Sequence, residues 1–95
     1  MFLPATLPEP PPAITAEQQA DLDCVSVGLA AGGGVRGRSP WDTRLVRFYL
    51  GRLTLSDRDR DWRARVVVLP DTLTYGEFMR RFDACAARLP PPRGR

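Results

Sequence analysis

The sequence predicts an all-α protein, a single small bundle of three to four short helices with Pro-rich disordered tails. Three observations carry that prediction. Two capping-box patterns, Thr15-Ala16-Glu17-Gln18 and Thr74-Tyr75-Gly76-Glu77, announce helix starts. Apolar residues recur at helical spacing after each start, and glycine or proline stops each run. With 95 residues the chain can fill one hydrophobic core and not two. The expected organisation is a Pro-rich disordered segment over residues 1–13, a helical domain over 14–89 and a disordered Pro/Arg tail over 90–95.

The first helix follows Thr15, whose hydroxyl and the Gln18 amide can each satisfy the other's backbone N–H. Leu22, Val25 and Leu29 form one stripe along it. Ala20, Cys24, Gly28 and Ala31 form a second stripe of small side chains, which permits another helix to come close. Gly32, Gly33 and Gly34 end the helix, because three glycines cost too much backbone entropy to stay helical.

Ser39-Pro40-Trp41-Asp42 reads as the next start, an N-cap serine with proline at the first helical position and an acid in the first turn. The helix is expected to reach about Leu53. Leu45, Phe48 and Tyr49, with Val46, Leu50 and Leu53, cover much of its circumference, so it is expected to be the central, most buried helix. Gly51 inside it costs roughly 1 kcal/mol relative to alanine, which suggests that a neighbouring backbone or bulky ring sits close to it.

A charged turn over residues 56–61 leads to Trp62, Val66 and Leu69 at helical spacing. The run Val66-Val67-Val68-Leu69 would suit a buried strand equally well, but a lone strand has no pairing partner in this chain, so a short helix ending at Pro70 is expected. In the last helix Leu73 is placed to staple against Phe78, and Phe78, Phe82, Cys85, Ala86 and Leu89 share one face up to the stop at Pro90. The aromatic residues Trp41, Phe48, Tyr49, Trp62, Phe78 and Phe82 are read mostly as core.

The composition excludes most catalytic chemistry. All 14 basic residues are arginine and the formal net charge is +3. Without histidine there is no Ser-His or Cys-His nucleophile pair and no imidazole metal ligand, and without lysine there is no Schiff-base chemistry. No catalytic residue, metal ligand or cofactor is expected, and the protein is read as not an enzyme. Asp57, Asp59 and Asp61 alternate like the first ligands of a calcium loop, but Trp62 stands where glycine must turn the loop and Val68 where a bidentate glutamate must close it. The segment Gly32-Gly33-Gly34-Val35-Arg36-Gly37-Arg38 lacks the spacing and preceding strand of a phosphate-binding loop; Arg36 and Arg38 are weak anion-contact candidates within a connection. Arg58, Arg60, Arg63 and Arg65 are interleaved with the three aspartates, which cancels much of the field a nucleic-acid binder would need. Arg52, inside the most apolar helix, is the one charge that demands an explanation: pairing with an acid among Asp57, Asp59 and Asp61, or holding an anionic ligand or partner.

No apolar run approaches the roughly 18 residues needed to cross a bilayer. Residues 1–7 offer neither a positive leader nor an apolar stretch ahead of a cleavage site, which leaves a mature secreted form, a start placed downstream and a cytosolic chain all open. Cys24 and Cys85 each lie on an apolar stripe, 61 positions apart and outside any Cys-x-x-Cys pair. Read from the residues alone they are either reduced core residues or a disulfide between the two ends of the domain.

Phe48-Tyr49-Leu50-Gly51-Arg52-Leu53, Ser56-Asp57-Arg58-Asp59 and Asp61-Trp62, with an early Ala20-Asp21-Leu22-Asp23-Cys24 and a late Ala84-Cys85, resemble a group of small uncharacterised helical bacterial proteins. Its members are usually secreted and carry a Tyr-Leu-Gly-Arg-Leu-like segment between an early and a late cysteine. The resemblance covers about residues 20–89; the chain departs from it in having no recognisable secretion signal. It implies an oxidising compartment and a structural Cys24–Cys85 disulfide, and it implies no reaction. The resulting expectation is a non-catalytic, exported or periplasmic protein that is structural or protein-binding, with an unidentified protein or a second copy as partner. The alternative is a cytosolic arginine-rich accessory protein that binds an anionic polymer such as nucleic acid.

Overall fold

A computed structural model of the chain describes residues 13–32, 37, 39–70 and 72–91. The expectations for residues 1–12, for Arg36 and Arg38, and for residues 92–95 lie outside the described residues.

The fold is all-α, built from helices α1 (Ala16–Gly32), α2 (Arg44–Ser56) and α3 (Tyr75–Ala87), with short 3₁₀ turns at Pro40–Asp42 and Arg63–Arg65. The first capping box forms in full: Thr15 N–H donates to Gln18 Oε1 and Gln18 N–H donates to Thr15 Oγ1, both at 3.0 Å. The second forms by half, with Glu77 N–H donating to Thr74 Oγ1 at 3.1 Å. The start of α2 differs from the expectation. Ser39 caps only the 3₁₀ turn, accepting from Trp41 N–H at 3.3 Å, while Thr43 takes the cap of the α-helix itself by accepting from Val46 N–H at 3.4 Å. Two cappable hydroxyls four residues apart give two short starts, and the chain uses both. The helix then continues to Ser56, past the expected end at Leu53.

α1, not α2, is the most buried helix. Eight of its residues are buried against four of α2, because α1 packs on α2, on α3 and on the turn at Pro40–Asp42, whereas α2 turns Arg47, Gly51 and Thr54 to solvent. The core joins Leu22, Cys24 and Val25 of α1 to Leu45, Val46, Tyr49 and Leu53 of α2, with Trp62 and Cys85 closing it. From α3 only Cys85 is buried; Phe82, Ala86 and Leu89 pack half-buried against the cluster. The small-residue stripe narrows to Cys24 and Gly28, since Ala20 and Ala31 are exposed and Gly32 takes the place of Ala31. At Gly28 an added Cβ would lie 2.7 Å from Leu45 Cδ2 and from Val46 Cγ2, so α1 and α2 touch there.

The segment after Trp62 forms no helix beyond the turn Arg63–Arg65. Val66, φ −71° and ψ 129°, begins an extended stretch without regular structure. Val66 and Leu69 turn partly inward while Val67 and Val68 are 73% and 87% exposed. The spacing of Val66 and Leu69 would suit a helix, but the backbone is extended there, and Pro70 lacks the donor that a longer helix would use.

Two of the helical glycines, Gly28 and Gly51, are predicted to respond oppositely to alanine. Gly28→Ala should lower stability by about 1 kcal/mol net, because overpacking against the buried Val46 outweighs the helix-propensity gain. Gly51→Ala, with nothing within 4 Å of its Cβ, should raise stability by up to about 1 kcal/mol. Urea unfolding of the two variants beside the parent checks both signs.

Candidate functional site

α1 and α3 are joined by a disulfide between Cys24 and Cys85, both buried in the core cluster. α2 is tied to the same point by Tyr49, which is fully buried and whose hydroxyl donates to the Cys85 carbonyl oxygen at 2.6 Å. Burial pushes the Tyr49 hydroxyl pKa above its ordinary value of 10.0; the Arg88 guanidinium opposes that shift, the Asp21 carboxylate adds to it, and Arg52 opposes it.

Beside this knot lies a buried acid. The Asp21 side chain, 5% exposed, takes Arg52 Nε at 3.2 Å on one oxygen and has Arg88 Nη2 3.9 Å from the other. Arg52 reaches on to Glu17 at 2.8 Å and its guanidinium stands 5.9 Å from the Phe48 ring centre; that of Arg88 stands 5.7 Å from the Tyr49 ring centre. Arg52 thus pairs with α1, not with the acids after its own helix as the sequence suggested. The reason is one of facing: Arg52 lies on the flank of α2 turned to α1, within reach of Glu17 and Asp21, while Asp57 is paired with Arg60.

The expected acid–base turn is largely self-contained. Asp57 pairs with Arg60 at 3.4 Å and accepts from Asp59 N–H at 3.1 Å, its carbonyl accepts from Trp62 Nε1 at 3.0 Å, and Asp61 accepts from Ala64 N–H at 3.3 Å. Arg60 is not a solvated surface charge: its side chain is only 7% exposed and its guanidinium stands 5.3 Å from the Trp62 ring centre. Among the described residues no three potential metal ligands cluster, and no helix is long and apolar enough to cross a membrane.

Two grooves flank α2 on opposite sides. The first, about 340 Å³, is apolar and lies where α1, α2 and α3 converge, lined by Gly28, Ala31, Leu45, Phe82, Ala86 and Leu89. Gly28 and Ala31 belong to α1 and Phe82 and Ala86 to α3, so the two helices that the disulfide joins both frame the groove. The second, about 430 Å³, runs along the solvent side of α2 and is lined by Trp41, Arg47, Gly51, Arg58, Arg63 and Trp62 among others. Sequence reading missed both. The convergence of Trp41 with Arg63, whose guanidinium stands 4.7 Å from the ring centre, joins residues 22 positions apart and has no local signature. The open face at Gly51 was legible only as an unexplained mid-helix glycine, and the explanation of a bulky neighbour is wrong, because an added Cβ there meets nothing.

Replacing Arg52 by leucine should destabilise the fold by roughly 1–3 kcal/mol, because it strips the buried Asp21 of its nearest cation while leaving the acid in place. For Tyr49 the sign of the pH dependence follows from its raised pKa. The stability that the neutral phenol contributes is complete below the unfolded value near 10 and is lost as pH rises through the higher folded value. Alkaline unfolding should therefore steepen above about pH 10 in the parent, and Tyr49→Phe should flatten that limb while costing about 1 kcal/mol at neutral pH for the hydrogen bond to Cys85. Chemical denaturation across pH measures both.

No family model, no curated protein and no solved structure matches the chain, which leaves its own geometry as the guide to what it does.

Proposed function

We propose that the chain is an exported, non-catalytic helical protein that binds another protein through the apolar groove between α1, α2 and α3. The observation that carries this reading is that the two helices the Cys24–Cys85 disulfide joins both frame the groove. A disulfide persists in an oxidising compartment, and here it fixes the separation of two of the three helices that frame the groove. An apolar channel of this kind takes the side chains of an amphipathic segment, with Phe82 and Leu89 among its lining residues. The resemblance to small secreted bacterial helical proteins supports the same reading.

Binding of a long anionic polymer such as nucleic acid has less behind it. Arg52, Arg60 and Arg88 are each paired with an acid of the chain itself, which leaves them out of any extended basic face.

The intact mass of protein purified with free thiols alkylated tests the proposal, comparing chain directed to the periplasm with chain kept in a reducing cytosol. The exported form is expected to resist alkylation at both Cys24 and Cys85 and to withstand several kcal/mol more denaturing free energy, of the order of the roughly 4 kcal/mol that closing a loop of this length contributes. Free thiols in the exported form, with unchanged stability, would remove the basis for an extracellular role.

A further inference from the structure

We propose that the groove along the outer side of α2 is a binding site for a phosphate chain, either a free polyphosphate or the phosphate tail of a nucleotide. The inference is independent of the protein-binding role, which concerns the other side of α2.

Two unrelated observations meet in this groove. The first is electrostatic. Arg47 of α2, Arg58 of the following turn and Arg63 of the 3₁₀ turn all line it, together with Arg60. Arg60 is matched by Asp57, but Arg47, Arg58 and Arg63 have no carboxylate partner among the described residues. Two aspartates, Asp42 and Asp61, also line the groove, and Asp61 is turned to the backbone N–H of Ala64, so the guanidinium charge remains in excess. Arg63 is held against the Trp41 ring at 4.7 Å, which fixes one donor before any ligand arrives. Planar, multi-donor guanidinium groups reaching one groove from three segments suit the several oxygens of a phosphate chain.

The second observation is Gly51. It sits in mid-helix, where glycine is costly, and it lines the groove. Nothing within 4 Å would meet a Cβ there, so no close packing inside the protein accounts for it. What the missing side chain does is keep the floor of the groove at the level of the helix backbone, between Arg47 and Thr54, where a ligand lying along α2 has to pass.

The chain's two tryptophans, Trp41 and Trp62, both line this groove, so intrinsic fluorescence is sensitive to it; Trp62 also belongs to the core, and circular dichroism separates binding from unfolding. The experiment titrates the full chain with tripolyphosphate, ATP and citrate at fixed ionic strength, followed by tryptophan fluorescence and by titration calorimetry. Saturable one-to-one binding of tripolyphosphate is expected, weakening as salt rises. Arg47→Gln with Arg58→Gln, both exposed positions, should weaken it at least about ten-fold. Gly51→Leu should abolish binding while the helical circular dichroism is retained, because leucine is a good helix former that fills the floor. ATP binding no tighter than tripolyphosphate assigns the site to the phosphate chain alone, and tighter ATP binding assigns it to a nucleotide. No saturable signal by either method, citrate binding as tightly as tripolyphosphate, or affinity unchanged in Gly51→Leu would each overturn the proposal.

Discussion

The architecture hangs on one junction, the Cys24–Cys85 disulfide with the Tyr49 hydroxyl on the Cys85 carbonyl. α3 needs it most. That helix places a single buried residue in the core, and the residue is the bridged cysteine itself; Phe78 and Phe82, whose ring centres lie 6.3 Å apart, remain half-buried. At about 25 cal/mol per Å² of apolar surface, a helix that keeps its aromatic face partly wet gains little from burial to set against the entropy of being ordered. Covalent attachment to α1 changes that balance by restricting the unfolded chain, and the short hydrogen bond from Tyr49 extends the attachment to α2. All three helices therefore meet at one residue, Cys85.

The charges around this junction are arranged to tolerate it. Asp21 is a buried carboxylate one turn before Cys24, in a place where an isolated ion would be strongly disfavoured. Arg52 from α2 and Arg88 from the end of α3 approach it from two sides, so each of the other two helices contributes a cation to the acid on α1. A buried pair of this kind adds little net stability compared with apolar packing of equal volume; what it does add is register. Shifting α2 along α1 by one turn would carry Arg52 away from both Asp21 and Glu17, leaving Asp21 buried beside Arg88 alone. The ion network thus selects one alignment of helices whose apolar faces would tolerate several.

How much of this could be read from the residues depended on how far each feature reaches along the chain. The Thr15 and Thr74 caps were legible because capping is completed within four residues. The choice of Thr43 over Ser39 for α2 was not, since both sites satisfy the local rule, and what separates a 3₁₀ turn from the α-helix is the packing of Pro40–Asp42 on α1. The run of valines at 66–68 misled for the opposite reason: its strong local preference had no tertiary partner, so neither helix nor strand was realised. Arg52 was correctly singled out as a charge that needed a partner, but the partner was sought within ten residues and lies 31 away on α1. The cysteines give the most instructive case. Their positions on two apolar stripes left both oxidation states open, and only the resemblance favoured the bridge that the structure contains.

Two of the helical glycines, Gly28 and Gly51, show how one residue type carries opposite information. Gly28 is absent a side chain because α2 occupies the space, and its consequence is an inward one, the close seating of Leu45 and Val46. Gly51 is absent a side chain where the space is empty, so its consequence is directed outward, to the groove between Trp41 and Arg58. Sequence patterning treats both as gaps in a helix and assigns both to packing. Only the surroundings separate them, and they do so in physical terms: a glycine whose Cβ would clash is explained by the fold, while a glycine whose Cβ would meet nothing is a cost the fold does not need. That asymmetry makes α2 a dividing wall. Its inner face, Leu45, Val46, Tyr49 and Leu53, is committed to the core. Its outer face, with Arg47, Gly51 and Thr54, is exposed and lines the groove, the Thr54 hydroxyl donating back to the Leu50 carbonyl of its own helix. Selection for stability alone would place alanine or leucine at residue 51. Gly51 is thus a residue that stability does not explain, and it is on that outer face that a ligand has room to account for it.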